Sequence, residues 1–243
     1  MKQIFSYIIF AFMAFAVSGC GSLQNFGNLN ATQKTAQDKA RDLVASARDT
    51  LISIAEDDQV GAYFLRALRA PEVTGVIISP NLVKGGFFIG GSGGSGVLLA
   101  KAANGEWSYP AFVRQGSGSI GLQVGFESVK TVSLIVSLDQ LEVMLNGSPI
   151  AGGSLSGAVI DEGSGIDYSG GLDVSAALKT YAVARGAYIG ADVKLGGLWI
   201  DQELNTGFYG DRAATPESIV LEARYGNALA DPLRNMLMQY YSE

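Results

Sequence analysis

The chain has 243 residues, of which 48% are hydrophobic and 16% are charged, a composition typical of a folded protein with a large core. Its formal net charge of −6 argues against nucleic acid as a partner, because binding to a phosphate backbone needs a basic surface. The chain contains no histidine and one cysteine. It therefore has no histidine-dependent catalytic triad, no zinc site built on several His or Cys ligands, and no internal disulfide.

The first 19 residues have the pattern of an export signal. A basic start at Lys2 is followed by a nearly continuous apolar segment from Ile4 to Val17, which is too short for a membrane span but suits a signal-peptide core. The segment ends in Val17-Ser18-Gly19-Cys20, which resembles the lipobox of bacterial lipoproteins. That resemblance implies lipid attachment at Cys20. Since Gly21 rather than Asp follows the cysteine, it also implies an outer-membrane anchor, facing the periplasm, in the cell envelope.

Residues 20–30 are polar and contain glycine, so they are predicted to form a flexible tether. From residue 31 the apolar positions recur at helical spacing to about Glu56, and the helix so predicted begins the domain assigned to residues 31–243. Its apolar face is rich in alanine, and its basic and acidic residues alternate. We therefore favour docking of this helix on the core over binding to a membrane surface. A second short helix is predicted from Val60 to Leu68.

The centre of the chain is predicted to be β-rich. Strands are expected at 73–78, closed by a turn at Ser79-Pro80-Asn81, and at 84–99, divided into a hairpin through Gly90 to Gly94. Further strands are expected at 107–115, 120–126, 131–137, 154–160 and 181–200, with a turn at Asn104-Gly105. An acidic, glycine-bearing loop is predicted at 161–168, with weak divalent-cation binding as the alternative to a solvated loop.

A short motif recurs three times, with glycines flanking three residues: Gly86 to Gly90, Gly121 to Gly125 and Gly186 to Gly190. Glycines at this spacing suit strands that bend sharply or pack backbone to backbone. Helices are predicted at Leu138 to Leu145, from Thr215 to Tyr225, and after Asp231-Pro232. The fold class is therefore α+β: a strongly curved, glycine-rich antiparallel sheet or small barrel, flanked by N- and C-terminal helices.

Two glycine-rich segments match catalytic or cofactor motifs by spacing alone. Gly91 to Gly96 matches the dinucleotide-binding pattern G-x-G-x-x-G, but a strand-like sequence follows it where the pyrophosphate site needs a helix. Gly90 to Gly94 matches the hydrolase pattern G-x-S-x-G, but the chain has no histidine base. We therefore expect no catalytic residues, no cofactor and no metal site. Trp107, Tyr109 and Phe112 could line a pocket for an apolar ligand, although a core role is commoner for such aromatics.

The segment from Thr74 to Gly210 resembles the SYLF domain, also called the Ysc84 actin-binding or DUF500 family. The resemblance rests on Gly75 to Pro80, Val83 to Val97, Trp107 to Phe112, Gly118 to Gly125, Tyr181 to Gly190 and Phe208 to Gly210. It implies a lipid-binding module without catalytic activity, since eukaryotic members bind phosphoinositides and some bundle actin. In this chain it points to Lys84 and Arg185, with Trp107, Tyr109 and Phe112, as ligand-binding residues.

The sequence departs from that pattern in its charge. An acidic chain with a charge-balanced lead helix lacks the basic residues of an anionic-lipid mechanism. A bacterial envelope also makes actin and phosphoinositides unexpected as partners. The prediction is an envelope lipoprotein whose domain binds lipid or a membrane surface. The alternative is an envelope interaction protein that holds a protein or peptidoglycan partner.

Overall fold

The computed structural model describes residues 35–102, 105–145, 154–155, 164–167 and 178–243. The predicted signal peptide, Cys20, the tether, and Asn104 of the predicted turn lie outside the described residues. So do most of the predicted strand at 154–160 and both ends of the acidic segment at 161–168. The residues from Lys34 to Glu243 form one compact unit.

The lead helix docks on the core, as predicted. Helix α1 (Ala36–Ala55) is capped by the side chain of Thr35, which accepts a hydrogen bond from the backbone N–H of Asp38. Its buried side chains recur at helical spacing and belong to a hydrophobic cluster: Ala40, Val44, Ala47, Leu51 and Ile54. Helix α2 (Gly61–Leu68) follows and buries Phe64 and Leu68 in the same cluster.

Three long antiparallel strands make up most of the sheet: β1 (Gly75–Ala100), β2 (Ala111–Ile135) and β5 (Leu178–Ile200). The central strand of the three is β2, which pairs with β1 on one side and with β5 on the other. Two short strands, β3 (Ser154–Leu155) and β4 (Ser164–Asp167), pair with the outer side of β5. The described strands form an open sheet, so of the two predicted forms the curved sheet is the one observed.

Strand β1 folds back on itself. If it were straight, Thr74 and Lys101 would be about 90 Å apart at about 3.3 Å per residue. Instead the backbone N–H of Lys101 donates to the carbonyl oxygen of Thr74 over 2.9 Å. A methyl group added at Gly96 would lie 2.7 Å from the Ile78 carbonyl oxygen. The first and second halves of β1, which we call its two arms, are therefore in contact along their length. The contacts between the arms are centred on Phe87, where the pairing with β2 also shifts register.

The three recurring glycine motifs lie side by side at this bend. Gly86 of β1 pairs with Gly125 of β2, and Gln123 of β2 pairs with Gly190 of β5. Because β2 follows β1 and β5 follows β2 in register, the three strands bend together. The motif therefore marks the bend of the sheet, as its glycines predicted.

Helices cover both faces of the sheet. One face carries Ile78 and Val97, one from each arm of β1, in the cluster that α1 and α2 complete. The other face carries Ile77 and Leu98, again one from each arm, in a second cluster. That second cluster is completed by Leu141 and Met144 of helix α3 (Leu138–Leu145), which was predicted, and by helix α5 (Pro216–Val220).

The C-terminal part is helical. Helix α4 (Gln202–Tyr209) directly follows β5, with Asp201 as its N-cap and Gly210 in the left-handed conformation after it. No helix was predicted at these residues. Helix α5 ends at Val220, earlier than the predicted Tyr225. A 3-10 turn (Ala228–Ala230) then leads into helix α6 (Asp231–Ser242), which begins as predicted.

The predicted division of the β region into short strands was wrong. No turn interrupts β1 at 79–81 or at 90–94. Residues 120–126 and 131–135 belong to one strand, and Trp107 precedes β2, joined to Lys101 by an isolated bridge. Bulges and glycines were interpreted as turns, whereas the neighbouring strand keeps the backbone hydrogen-bonded through them. Residues 164–167, predicted as part of a loop, form β4.

Candidate functional site

Three side chains form a row across the three long strands, which we call the exposed row: Ser95 of β1, Arg114 of β2 and Trp199 of β5. Ser95 pairs with Arg114, and Arg114 pairs with Trp199. Directly paired residues of antiparallel strands place their side chains on the same face of the sheet. That face is the one covered by α1, because Phe112, two residues before Arg114, belongs to the cluster that includes α1.

Trp199 is the large aromatic side chain of this row, and 47% of its surface is exposed. Atoms of its six-membered ring lie 3.0 Å from where a methyl group on Gly116 would be and 2.8 Å from the equivalent position on Gly197. The absence of side chains at these two paired glycines therefore makes room for the indole. The ring lies along the sheet surface, with one side resting on the glycines and the rest open to solvent.

Arg114 is held in place by a buried carboxylate. Its Nε donates to Oδ2 of Asp201 over 2.6 Å; the arginine side chain is 59% exposed, whereas the aspartate side chain is 3% exposed. The other oxygen of Asp201 accepts the backbone N–H of Leu204, so the same carboxylate caps α4. This hydrogen bond from Arg114 to Asp201 raises the pKa of the guanidinium, and the charge of Glu203 nearby acts in the same direction.

An open cleft of about 430 Å³ lies beside the exposed row, between α1, the sheet and α4. Its size is within the range of ligand sites in proteins. Its charged and hydroxyl groups are contributed by all three elements: Lys39, Asp42 and Ser46 of α1, Ser95 and Arg114 of the sheet, and Asp201 and Glu203 at the start of α4.

A second cavity of about 470 Å³ continues along the same pair of helices and shares Glu203 with the cleft. Next to it α1 and α4 come into close contact, since a methyl group added at Gly207 would lie 2.7 Å from the Cβ of Ala36. The groove between the two helices thus begins at the exposed row and runs toward the start of α1.

The aromatic residues predicted to line a pocket are packed into the core. Phe112 has no exposed surface and meets Phe208 edge to face, with 5.1 Å between ring centroids. Trp107 is 3% exposed and packs against Tyr241 of α6 at 5.8 Å. These two rings hold the C-terminal helices onto the sheet.

Tyr109 is half-buried and also bonds to α6. Its hydroxyl donates to Asp231 over 2.7 Å, and the Arg234 guanidinium lies 5.2 Å from its ring centroid. The hydrogen bond to Asp231 is the main reason that the pKa of Tyr109 is raised. A ligand-binding role for Trp107, Tyr109 and Phe112 stays a prediction.

The two predicted cationic site residues lie in the long strands of the sheet. Lys84 pairs with Glu127 between β1 and β2, and Arg185 pairs with Ser128 between β2 and β5. Both therefore lie near the bend of the sheet, away from the exposed row. Their ligand-binding role stays a prediction, and so does lipid attachment at Cys20, which lies outside the described residues.

Sequence reasoning missed Arg114 and Trp199. The alternation of β5 was a usable signal, since Leu198 and Ile200 are apolar and Trp199 between them must face the other side of the sheet. No local pattern could have paired Arg114 with Asp201, because 87 residues separate them.

Among the described residues, no group of three or more acidic, histidine or cysteine side chains is arranged to hold a metal ion. None of the described helices is both long enough and apolar enough to cross a membrane.

Comparison with known proteins places the chain in a family. The model of the Ysc84 family, described as "Las17-binding protein actin regulator", matches residues 116–240. The SH3 domain-containing YSC84-like protein 1 of Xenopus laevis is 31% identical over 135 residues, which cover 54% of this chain and 39% of that protein. The protein of the same name from Bos taurus is 33% identical over 134 residues, covering 53% and 38%.

LAS seventeen-binding protein 3 of Saccharomyces cerevisiae is 27% identical over 160 residues, covering 64% of this chain and 34% of the yeast protein. The matched segments thus span less than half the length of these curated relatives. No solved structure matches the chain. Because the family model matches more than half of its residues, the chain belongs to the Ysc84, or SYLF, family.

Proposed function

We propose that this protein is a membrane-anchored envelope lipoprotein whose Ysc84 domain binds a lipid surface without catalysing a reaction. The observation that carries the proposal is the pairing of exposed Trp199 with exposed Arg114 on adjacent strands. Indole rings concentrate at the boundary between hydrocarbon and water, and arginine packs its apolar stem there while its charge stays hydrated. An indole that lies along the sheet would contact the bilayer at headgroup depth.

Cys20 is the proposed attachment point of the anchor. The 16 residues from Cys20 to Thr35 could span at most about 50 Å when fully extended, so the domain would stay close to the bilayer. Two or more acyl chains give stable anchoring, whereas one gives marginal binding. A weak surface contact through the exposed row would then suffice to orient the domain.

Lipid attachment is tested by expressing the full chain and its Cys20→Ser variant with labelled palmitate. Label should enter the wild-type protein and fractionate with the outer membrane, and the variant should be unlabelled and absent from that membrane. Equal labelling of both proteins would refute attachment at Cys20.

Lipid binding by the domain is tested by vesicle co-sedimentation of residues 20–243 carrying Cys20→Ser. Retention should fall when Trp199→Ala is added. It should be unchanged by Tyr63→Ala, which removes another exposed aromatic, 62% accessible, from helix α2. Absence of retention on every vesicle composition would overturn the proposal.

The rival function is a protein partner. It is favoured by the description of the family and by the name of the yeast relative, both of which refer to Las17 binding. A chain that ignores vesicles, and is instead retained by an envelope protein or by insoluble peptidoglycan, would support this alternative.

A further inference from the structure

The charges of the cleft between α1 and α4 are mixed, although an anionic ligand would favour a mostly basic site. Arg114 and Lys39 supply positive charge, and Asp42 and Glu203 supply negative charge at the same opening. The fifth charged residue, Asp201, is already used by its ion pair with Arg114 and by capping α4. A ligand with one charge of either sign would therefore meet repulsion from part of the lining.

A zwitterion would be complementary to this lining. Only Nε of Arg114 is engaged by Asp201, so the terminal nitrogens of the guanidinium, fixed in direction by that bond, can donate to a phosphate. At the same opening, the exposed carboxylate of Glu203 can accept hydrogen bonds from a primary ammonium group. The hydroxyls of Ser46 and Ser95 add neutral hydrogen-bonding groups to the lining.

The position of Trp199 identifies the kind of molecule that carries this zwitterion. The indole is the neighbour of Arg114 on the side of β5, so a ligand whose phosphate reaches Arg114 has its next atoms beside an exposed aromatic surface. An acyl-glycerol chain suits that surface, whereas a small soluble zwitterion would leave it uncovered.

We propose that the cleft binds the phosphoethanolamine headgroup of a membrane phospholipid, with Arg114 on the phosphate, Glu203 on the ammonium and Trp199 beneath the glycerol and upper acyl region. The inference rests on the proposed lipid-surface function and makes it specific. The domain recognises a zwitterionic lipid, and its binding does not depend on anionic lipids. A chain with a net charge of −6 is suited to this mode, since general attraction to an anionic surface is not available to it.

The test is co-sedimentation of residues 20–243 with Cys20→Ser on three vesicle types: phosphatidylcholine alone, with phosphatidylethanolamine, and with phosphatidylglycerol. Phosphatidylethanolamine should raise the partition coefficient, and phosphatidylglycerol should not. Loss of one charged hydrogen bond, in Arg114→Gln or Glu203→Gln, should lower binding to the phosphatidylethanolamine vesicles roughly tenfold.

Two residues outside the cleft serve as matched controls for Glu203 and Arg114. Glu217 occupies the first turn of α5 as Glu203 occupies that of α4, and Arg224 is exposed and paired with an acid as Arg114 is. Glu217→Gln and Arg224→Gln should leave binding unchanged. Glu203→Asp keeps the charge and should retain most of the binding, so it separates loss of the carboxylate from a change in folding at this position.

The outcomes separate this inference from the proposed function. No retention on any vesicle overturns both. Equal retention on all three vesicle types, or a larger gain from phosphatidylglycerol, overturns the zwitterion inference and leaves surface binding standing. Binding of soluble glycerophosphoethanolamine without a preference for phosphatidylethanolamine vesicles would identify a free ligand, and this too overturns the inference.

Discussion

The two tryptophans of the chain are in opposite environments. Trp107 precedes β2 and is 3% exposed, because α6 closes over it through Tyr241; Trp199 near the end of β5 is 47% exposed, because no described helix covers it. One belongs to the packing region, which we define as Trp107, Tyr109 and Phe112 with their partners on α4 and α6, and the other to the exposed row. The position of the helices on the sheet, more than residue type, therefore decides which tryptophan stabilises the fold and which is open to solvent.

Truncation in the packing region should produce the largest loss of stability. Phe112→Ala removes a fully buried ring that contacts Phe208, and it should lower the free energy of unfolding by about 3–5 kcal/mol. Trp199→Ala in the exposed row should change it by less than about 1 kcal/mol. Urea unfolding followed by circular dichroism measures both, and equal losses would break the distinction between the two regions.

The fold-back of β1, which brings Ser95 to the exposed row, should depend on Gly96. Gly96→Ala places a methyl group 2.7 Å from the carbonyl oxygen of Ile78, so it should cost about 1–3 kcal/mol. Gly93→Ala is the matched control in the same strand, because within the described part of the chain its methyl group would meet only the Gln115 oxygen, at 3.8 Å. If the two variants had the same unfolding midpoint, the two arms of β1 would not be in contact.

Asp201 connects stability to the exposed row and should show an intermediate effect. Asp201→Ala removes the cap of α4 and the partner of Arg114, and it should cost about 1–3 kcal/mol. Asp201→Asn keeps a capping oxygen and should cost less, yet it removes the charge that orients Arg114. We therefore expect vesicle binding to fall in both variants, and binding equal to wild type in Asp201→Asn would show that this orientation is unimportant.

The smallest effect is expected for an ion pair of α1 that belongs to neither region. Arg48 pairs with its neighbour Asp49 over 2.8 Å, and the two side chains are 41% and 62% exposed. Arg48→Gln should change the free energy of unfolding by less than about 1 kcal/mol and leave vesicle binding unchanged. A clear loss of binding in this variant would indicate that membrane contact extends along α1.

Much of the fold could be predicted from the sequence where the signal is local. The helical spacing of Ala40, Ala47, Leu51 and Ile54 placed α1 and most of its buried face, and the glycine motifs placed the bend of the sheet. The continuity of β1 could not be predicted. Glycine and Pro80 favour turns in an isolated segment, and only the pairing with β2 keeps residues 79–94 extended.

The site was predicted less well, for a physical reason. Aromatic residues such as Trp107 and Phe112 occur both in ligand pockets and in protein cores. Here they are buried by α4 and α6, which lie far from them in the sequence. The exposed row depends on strand register, because Arg114 and Trp199 become neighbours only when β2 pairs with β5. Register is set by the whole sheet and is not encoded near either residue.

The central claim, that the exposed row contacts the membrane, is tested most directly by tryptophan quenching with vesicles of brominated phospholipid. Trp107→Phe leaves Trp199 as the only indole of residues 20–243, and Trp199→Phe leaves Trp107. We predict that brominated vesicles quench the emission of the first variant and leave that of the second unchanged. Bound protein that shows quenching only from Trp107, or none from Trp199, would contradict the account.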